Sequence, residues 1–176
     1  MDDVTRDEYL RLLAEGYELA FEKGELEAGA ERYQEALSSL GPGELGYSDH
    51  HGELAAVLQK LNRPEQASLE LRRALEAARR ETPGESDSAV VALAAWSLGE
   101  HLLRTGSPQE ALEVTEGAAT TRSNLAANVL VVRAEAMVSI GRVAEGKRVA
   151  QQAEAVATEG QRAGVRERLG ALLERT

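Results

Sequence analysis

The sequence predicts an all-α fold, a right-handed α-solenoid of about four helix-turn-helix repeats followed by a C-terminal capping helix. Apolar residues recur at spacings of three and four, which mark one face of a helix. Residues 95–114, AWSLGEHLLRTGSPQEALEV, place two such helical patterns on either side of a glycine turn. Three other segments repeat this arrangement in phase, and a chain of 176 residues is long enough to bury a core between stacked helices.

Small residues at matching positions define the repeat. Each unit has a small residue in its first helix, a turn residue, and two small residues seven positions apart in its second helix. A glycine within a helix costs about 1 kcal/mol relative to alanine, so Gly99 indicates that a neighbouring helix passes too close for a side chain. In chain order, the small residues of the first helices are Gly16, Ala55, Gly99 and Ala134, and the turn residues are Gly24, Asn62, Gly106 and Gly141. The earlier small residues of the second helices are Gly29, Ala67, Ala111 and Gly146, and the later ones are Ala36, Ala74, Ala118 and Ala153.

The helix pairs follow one another along a predicted repeat domain, residues 1–160. Acidic residues at the N-terminus favour the first helix through its dipole. Gly41-Pro42-Gly43 ends the first unit, and a loop rich in helix breakers, residues 81–87, precedes the third. The units are predicted at about 9–40, 48–80, 88–119 and 124–157.

Hydroxyl and acidic residues mark two helix starts. Ser107, followed by Pro108 and by a glutamate three residues on, is predicted to cap the second helix of the third unit through its hydroxyl. The run Ser48-Asp49-His50-His51 is predicted to cap and start a helix, because side chains adjacent on a helix point about 100° apart and do not form a catalytic triad or a metal site. His101, which has no evident second ligand, is predicted to be structural.

The last segment, residues 161–176, is predicted to be the capping helix. Val165, Leu169, Leu172 and Leu173 share one of its faces, and three arginines lie elsewhere, Arg162, Arg166 and Arg168. A terminal repeat needs such a helix to cover its apolar face. Leucines buried in this way cannot form a second interface, so we expect a monomer.

The repeated residues resemble the tetratricopeptide repeat, whose pattern of Leu-Gly and alanines extends over about 34 residues. The third unit, with Leu98-Gly99 and Ala111, matches best, and the resemblance covers roughly residues 9–157. The units here are 39, 44 and 35 residues apart by the small residue of the first helix, and Leu, Thr or Ala replaces most of the family's aromatic residues. The resemblance implies a solenoid whose first helices line a concave, partner-binding side.

The charge of the chain is negative and unevenly distributed. The total is −10, with −9 in residues 1–60 (14 acidic, 5 basic), −4 in residues 61–120 (10 acidic, 6 basic) and +3 in residues 121–176 (6 acidic, 9 basic). An acidic surface repels the phosphates of nucleic acids and anionic membranes. We therefore expect a protein or peptide partner of basic and apolar character, with no nucleic acid and no membrane.

The sequence contains no convincing catalytic or cofactor motif. It has no cysteine, and no zinc-protease helix or P-loop is present. Residues 41–46 satisfy a glycine fingerprint for dinucleotides, but they follow a helix where that motif needs a strand. We expect no enzyme, no cofactor and no metal; an enzyme with an unrecognised site is the alternative.

A partner-binding surface is predicted on the concave side by projecting the helical period. Aromatic and aliphatic side chains alternate there with carboxylates, which suits an apolar, positively charged helix or extended peptide. The alternative is that Trp96 and Phe21 are core residues. The predicted surface residues are Leu13, Tyr17, Phe21, Trp96, Glu100, Leu103, Arg104, Asn128, Val131, Glu135 and Val138.

Some tetratricopeptide proteins bind an acidic C-terminal tail through lysines, arginine and asparagines on these first-helix faces. This chain has Leu13 and Tyr17, Ala56, and Trp96 and Glu100 on the corresponding faces. We therefore do not expect an acidic tail as its ligand.

The function predicted from the sequence is that of a protein–protein interaction module, an adaptor or regulator that binds a peptide or helix in its concave groove. A small acidic inhibitor, of the immunity type that neutralises one basic protein, is the alternative. Arginine outnumbers lysine 17 to 3, as in proteins from GC-rich bacterial genomes. Because the N-terminus lacks the basic and apolar regions of a signal peptide, we expect a cytoplasmic protein.

Overall fold

The computed structural model describes residues 3–40, 47–84, 88–118 and 123–174, and this part of the chain is helical without strands. The all-α prediction is confirmed. Within these ranges no helix is long and apolar enough to cross a membrane. The helices are α1 (Asp3–Tyr17), α2 (Leu26–Ser38), α3 (Ser48–Lys60), α4 (Pro64–Glu81), α5 (Ala89–Arg104), α6 (Pro108–Glu116), α7 (Ser123–Ser139), α8 (Val143–Val156) and α9 (Glu159–Glu174), with a π-helical turn at Glu18–Glu22 after α1.

The chain divides into two compact units, Met1–Glu81 and Thr82–Thr176, at the loop that the sequence marks with helix breakers. In the first unit α1 packs on α2, α2 on α3 and α3 on α4. In the second unit α5 packs on α6 and α7, α7 on α6 and α8, and α9 on both α7 and α8. Each unit therefore contains two consecutive helix pairs, and the second also carries the terminal helix.

The four helix pairs close with a common turn. The predicted turn residues Gly24, Asn62, Gly106 and Gly141 all have positive φ, at 75°, 55°, 82° and 86°. In the last three turns, the N–H of the residue after the turn residue donates to the carbonyl oxygen five residues earlier, at 2.8–2.9 Å. This is the hydrogen bond of a Schellman C-cap. The predicted turn positions are thus confirmed by their backbone geometry.

The first turn differs because it contains one more residue. Gly24 follows Gly16 by eight positions, whereas Gly106 follows Gly99 by seven. The extra residue is accommodated in the π-helical turn, where the Lys23 N–H donates to the Glu18 carbonyl five residues earlier at 3.0 Å. The sequence analysis did not predict this turn, although the spacing of eight contains the signal.

The small residues of the repeat are buried where helices meet. A Cβ on Gly99 would lie 2.8 Å from Val132 Cγ1 and 3.0 Å from Thr115 Cγ2, so the predicted close approach is confirmed. The approach is closest at Gly29 of α2, where a Cβ would lie 2.6 Å from the Ala20 Cβ and 2.9 Å from the Ala20 backbone nitrogen. The π-helical turn therefore presses its backbone against α2.

The predicted helix starts at Ser107 and Ser48 are confirmed, but neither hydroxyl makes the predicted capping hydrogen bond. Ser107 occupies the N-cap position of α6, but its side chain makes no capping hydrogen bond; its N–H donates to the Leu102 carbonyl at 2.8 Å, so the turn itself orients it. At α3 the N-cap residue is Tyr47, and the acceptor comes from the end of α4. The Glu81 carboxylate accepts the Ser48 N–H at 2.6 Å and the Ser48 hydroxyl at 3.2 Å, and a negative charge is favourable at a helix N-terminus.

The two histidines of α3 face different partners. The Tyr9 hydroxyl lies 2.7 Å from His50 Nδ1. His51 is buried, with Nδ1 2.7 Å from Glu70, and Glu70 also accepts a hydrogen bond from Arg73 at 2.7 Å. His50 and His51 therefore make separate contacts, one with α1 and one with α4. His101 is also buried, in α5.

We predict that Gly29→Ala destabilises the first unit by about 1–3 kcal/mol, because the new methyl group would overlap backbone atoms of Ala20. The matched control is Gly52→Ala in α3, where no atom lies within 4 Å of an added Cβ. This variant should gain about 0.5–1 kcal/mol from helix propensity. Urea unfolding followed by tyrosine absorbance measures both changes, since all four tyrosines lie in the first unit. Equal stability of the two variants would refute the steric argument.

The second prediction concerns the pH dependence of stability through Tyr9, whose pKa is raised by burial to about 12. Because the folded state holds this proton more tightly than the unfolded chain, the contribution is fully present below pH 10 and is lost as the pH rises through about 12. At pH 8, Tyr9→Phe should cost about 1 kcal/mol through the lost hydrogen bond to His50. The gap in the free energy of unfolding between the unchanged protein and Tyr9→Phe should close near pH 11. Urea unfolding by circular dichroism at pH 8 to 11 measures it, and a constant gap would contradict the assignment.

Candidate functional site

The three predicted surface residues of the first unit differ in exposure. Leu13 packs in the core with Tyr9 and Leu12, so it does not reach the surface, and its predicted place there is corrected. Tyr17 is 48% exposed and packs against Phe21 in a tilted arrangement, with the ring centroids 5.1 Å apart. Lys60 Nζ lies 4.9 Å from the centroid of the Phe21 ring. An aromatic pair with a cation beside it is therefore present on this unit.

The second unit carries the other eight predicted residues. Val131 is a core residue, buried among Ala127, Ala134 and α8. Its predicted place on the partner-binding surface was therefore wrong, as it was for Leu13. Arg104 is exposed. The remaining six are half-buried, as expected for side chains at the edge of a packed helix: Trp96, Glu100, Leu103, Asn128, Glu135 and Val138.

Two of the predicted carboxylates converge on one guanidinium. Glu100 of α5 and Glu135 of α7, which we call the acidic pair, each follow the small residue of their first helix. Arg168 of α9 donates from Nη1 to Glu100 at 2.6 Å and from Nε to Glu135 at 2.6 Å, with a further bond from Nη2 to Glu135. The Trp96 indole N–H donates to Glu100 at 3.2 Å. The acidic pair therefore holds the planar guanidinium of Arg168 through charge-assisted hydrogen bonds.

The terminal helix is positioned by apolar contacts next to this site. Val165 and Leu169 are buried against Ala127, Val131, Ala134, Ala150, Ala153 and Ala157. Near the start of α9 the Gln161 amide donates to the Asn124 carbonyl at 3.0 Å and lies 3.5 Å from the Asn128 side chain. Leu169 follows Arg168 directly, so burial of this leucine brings the guanidinium to the edge of α7. The predicted cap leucines Leu172 and Leu173 lie outside the described side chains.

The electrostatics of the site favour a charged occupant. Burial lowers the pKa of Arg168, but hydrogen bonds to Glu135 and Glu100 outweigh it and the net pKa is raised. The side chains are partly exposed, at 38% for Arg168, 25% for Glu100 and 17% for Glu135. This partial burial lowers the effective dielectric constant and so strengthens the attraction between Arg168 and the two carboxylates. Solvent still reaches all three side chains.

The role of Arg168 was not predicted from the sequence, which placed this residue away from the apolar face of α9. The signal for the acidic pair was present, because Glu100 and Glu135 occupy the same repeat position 35 residues apart. No local sequence feature indicates that Arg168 is their partner, because Arg168 follows Glu100 by 68 residues and Glu135 by 33 residues.

Comparisons with known proteins add no family. The chain matches no family model, and no curated protein is significantly similar to it. The resemblance to the tetratricopeptide repeat therefore stays a prediction from the sequence.

The third prediction concerns the coupling between Glu135 and Arg168. A double-mutant cycle with Glu135→Gln and Arg168→Gln should give a coupling free energy of about 1 kcal/mol, between that of an exposed pair and that of a buried one. The matched cycle combines Glu135→Gln with Arg166→Gln, because Arg166 lies two residues before Arg168 on α9 and pairs with Glu154 instead of Glu135. We expect no measurable coupling there. Urea unfolding followed by the fluorescence of Trp96, the single tryptophan, measures the second unit; equal coupling in both cycles would contradict the geometry.

Proposed function

We propose that this chain is a non-catalytic interaction module, a divergent tetratricopeptide-like solenoid that binds a basic and apolar segment of a partner protein on its first-helix face. The observation that carries the proposal is the acidic pair, which binds a guanidinium presented by a helix. First helices of two consecutive repeats supply the two carboxylates, as expected for a groove that runs across repeats. Trp96 beside Glu100 offers an aromatic surface of the kind that anchors peptide ligands.

The charge distribution supports a cationic partner. Residues 1–60 sum to −9, and a field of this sign steers basic proteins and raises their association rate. The same charge supports the alternative role, that of a small inhibitor which neutralises one basic protein. The exposed Tyr17 and the half-buried Phe21 would then be its contact surface, rather than the acidic pair. A bacterial cytoplasmic location and a monomeric state remain predictions of the sequence.

A peptide selection tests this proposal. We expect that a phage-displayed peptide library, selected on the full chain, yields peptides with an arginine beside apolar residues. The double variant Glu100→Gln/Glu135→Gln should weaken the selected peptides by about tenfold or more, because it removes both charge-assisted partners of the arginine. Fluorescence anisotropy measures the dissociation constants.

The matched control removes the same charge from second helices, with Glu113→Gln/Glu145→Gln on α6 and α8. These substitutions should leave the affinity unchanged. Failure to select any peptide, or equal losses in the two double variants, would overturn the proposed site. Selected peptides that respond to Tyr17→Ala and not to the acidic pair would favour the inhibitor alternative.

A further inference from the structure

The terminal helix makes two kinds of contact, and only one is needed to cover an apolar face. Val165 and Leu169 pack against buried alanines of α7 and α8. Arg168 makes a separate polar contact, which reaches past α7 to Glu100 on α5. A helix that served only as a cap would not require this arginine. Through Arg168, α9 occupies both carboxylates of the acidic pair.

The helix that makes these contacts is intrinsically weak. α9 has 16 residues and contains Gly160, Gly164 and Gly170. No atom lies within 4 Å of a Cβ added to any of the three, so packing does not require glycine there. Gly29 and Gly99, by contrast, are needed for close approach between helices. Each glycine lowers the stability of the helix that contains it. We therefore expect α9 to detach more readily than a helix that makes the same contacts without glycines.

We propose that α9 is an intramolecular occupant of the binding face, which an arginine-bearing helix of a partner protein displaces. The proposal rests on the function proposed above and specifies its ligand and its resting state. The partner helix should present what α9 presents, an arginine with one apolar residue three positions before it and another directly after it. In α9 these are Val165, Arg168 and Leu169.

Displacement depends on how often α9 is detached. A helix tethered by a short linker competes at an effective concentration on the order of millimolar. The apparent dissociation constant of an external helix is its intrinsic value divided by the detached fraction. A substitution that weakens α9 should therefore tighten external binding, and one that strengthens α9 should weaken it, although neither changes the acidic pair.

The test uses a fluorescein-labelled synthetic peptide with the sequence of residues 159–174 and the full-length chain. Arg168→Ala in the chain should tighten binding of the peptide by about tenfold relative to the unchanged chain. Gly160→Ala/Gly164→Ala should weaken it by a few-fold, and because these substitutions favour helix, loss of folding does not complicate the result. Arg162→Ala is the matched control, because Arg162 lies on the same helix with an exposed side chain, and no change is expected. Fluorescence anisotropy gives the dissociation constants.

Hydrogen exchange provides a second readout. Arg168→Ala should accelerate amide exchange in α9 by about tenfold. Arg162→Ala should leave exchange in α9 unchanged, and exchange in α7 should be the same in both variants. Exchange in α9 that is equal for both arginine variants would overturn the proposal. So would faster exchange in Arg168→Ala without tighter binding of the peptide.

The outcomes separate this inference from the proposed function. If the peptide binds the unchanged chain and Arg168→Ala equally, and Glu100→Gln/Glu135→Gln abolishes both, the binding face stands and the displacement is refuted. If the peptide binds no variant and library peptides fail as well, the proposed function itself is refuted. A dimer of the unchanged chain in light scattering that Arg168→Ala dissolves would place α9 on a second copy, which also refutes displacement within one chain.

Discussion

Close approach of paired helices is the constraint on which the structure of each unit depends. Two helices can approach this closely only where at least one of them carries a small residue at the contact. Such residues are buried in every pair, at Gly29 of α2 and Gly99 of α5 among others. The close contact fixes the turn between the helices and the rotation of each first helix about its axis. In the second unit that rotation places Glu100 and Glu135, each one residue beyond a small residue, on the same face.

The helix pairs could be predicted from the sequence because their determinants are local. A small residue or a positive-φ turn residue acts within a few positions of itself, so Gly106 and Gly141 could be identified by spacing alone. The caps could not, since the acceptor for Ser48 is Glu81, which lies 33 residues away. The π-helical turn is an intermediate case. Its signal is one extra residue relative to the other units, and it becomes visible only when the units are aligned with one another.

The candidate site was predicted in part for the same reason. Helical periodicity selects a face, but adjacent positions on a helix differ by only about 100°, and the boundary between core and surface falls between them. Leu13 and Val131 lie on the core side of that boundary, whereas Glu100 and Glu135 lie on the accessible side. The partner of these carboxylates depends on where α9 packs, which is a tertiary property with no periodic signature.

The contact of Arg168 with both carboxylates has a mechanical consequence. Glu100 belongs to one helix pair and Glu135 to the next, so a single guanidinium is bonded to two neighbouring repeats. In repeat proteins the stiffness between neighbours is set by their shared interface. A side chain that joins both repeats adds to that interface, and its loss removes one restraint on their relative bending. If a partner replaces Arg168 at the acidic pair, as proposed above, the restraint between these two helix pairs changes together with the surface of the unit.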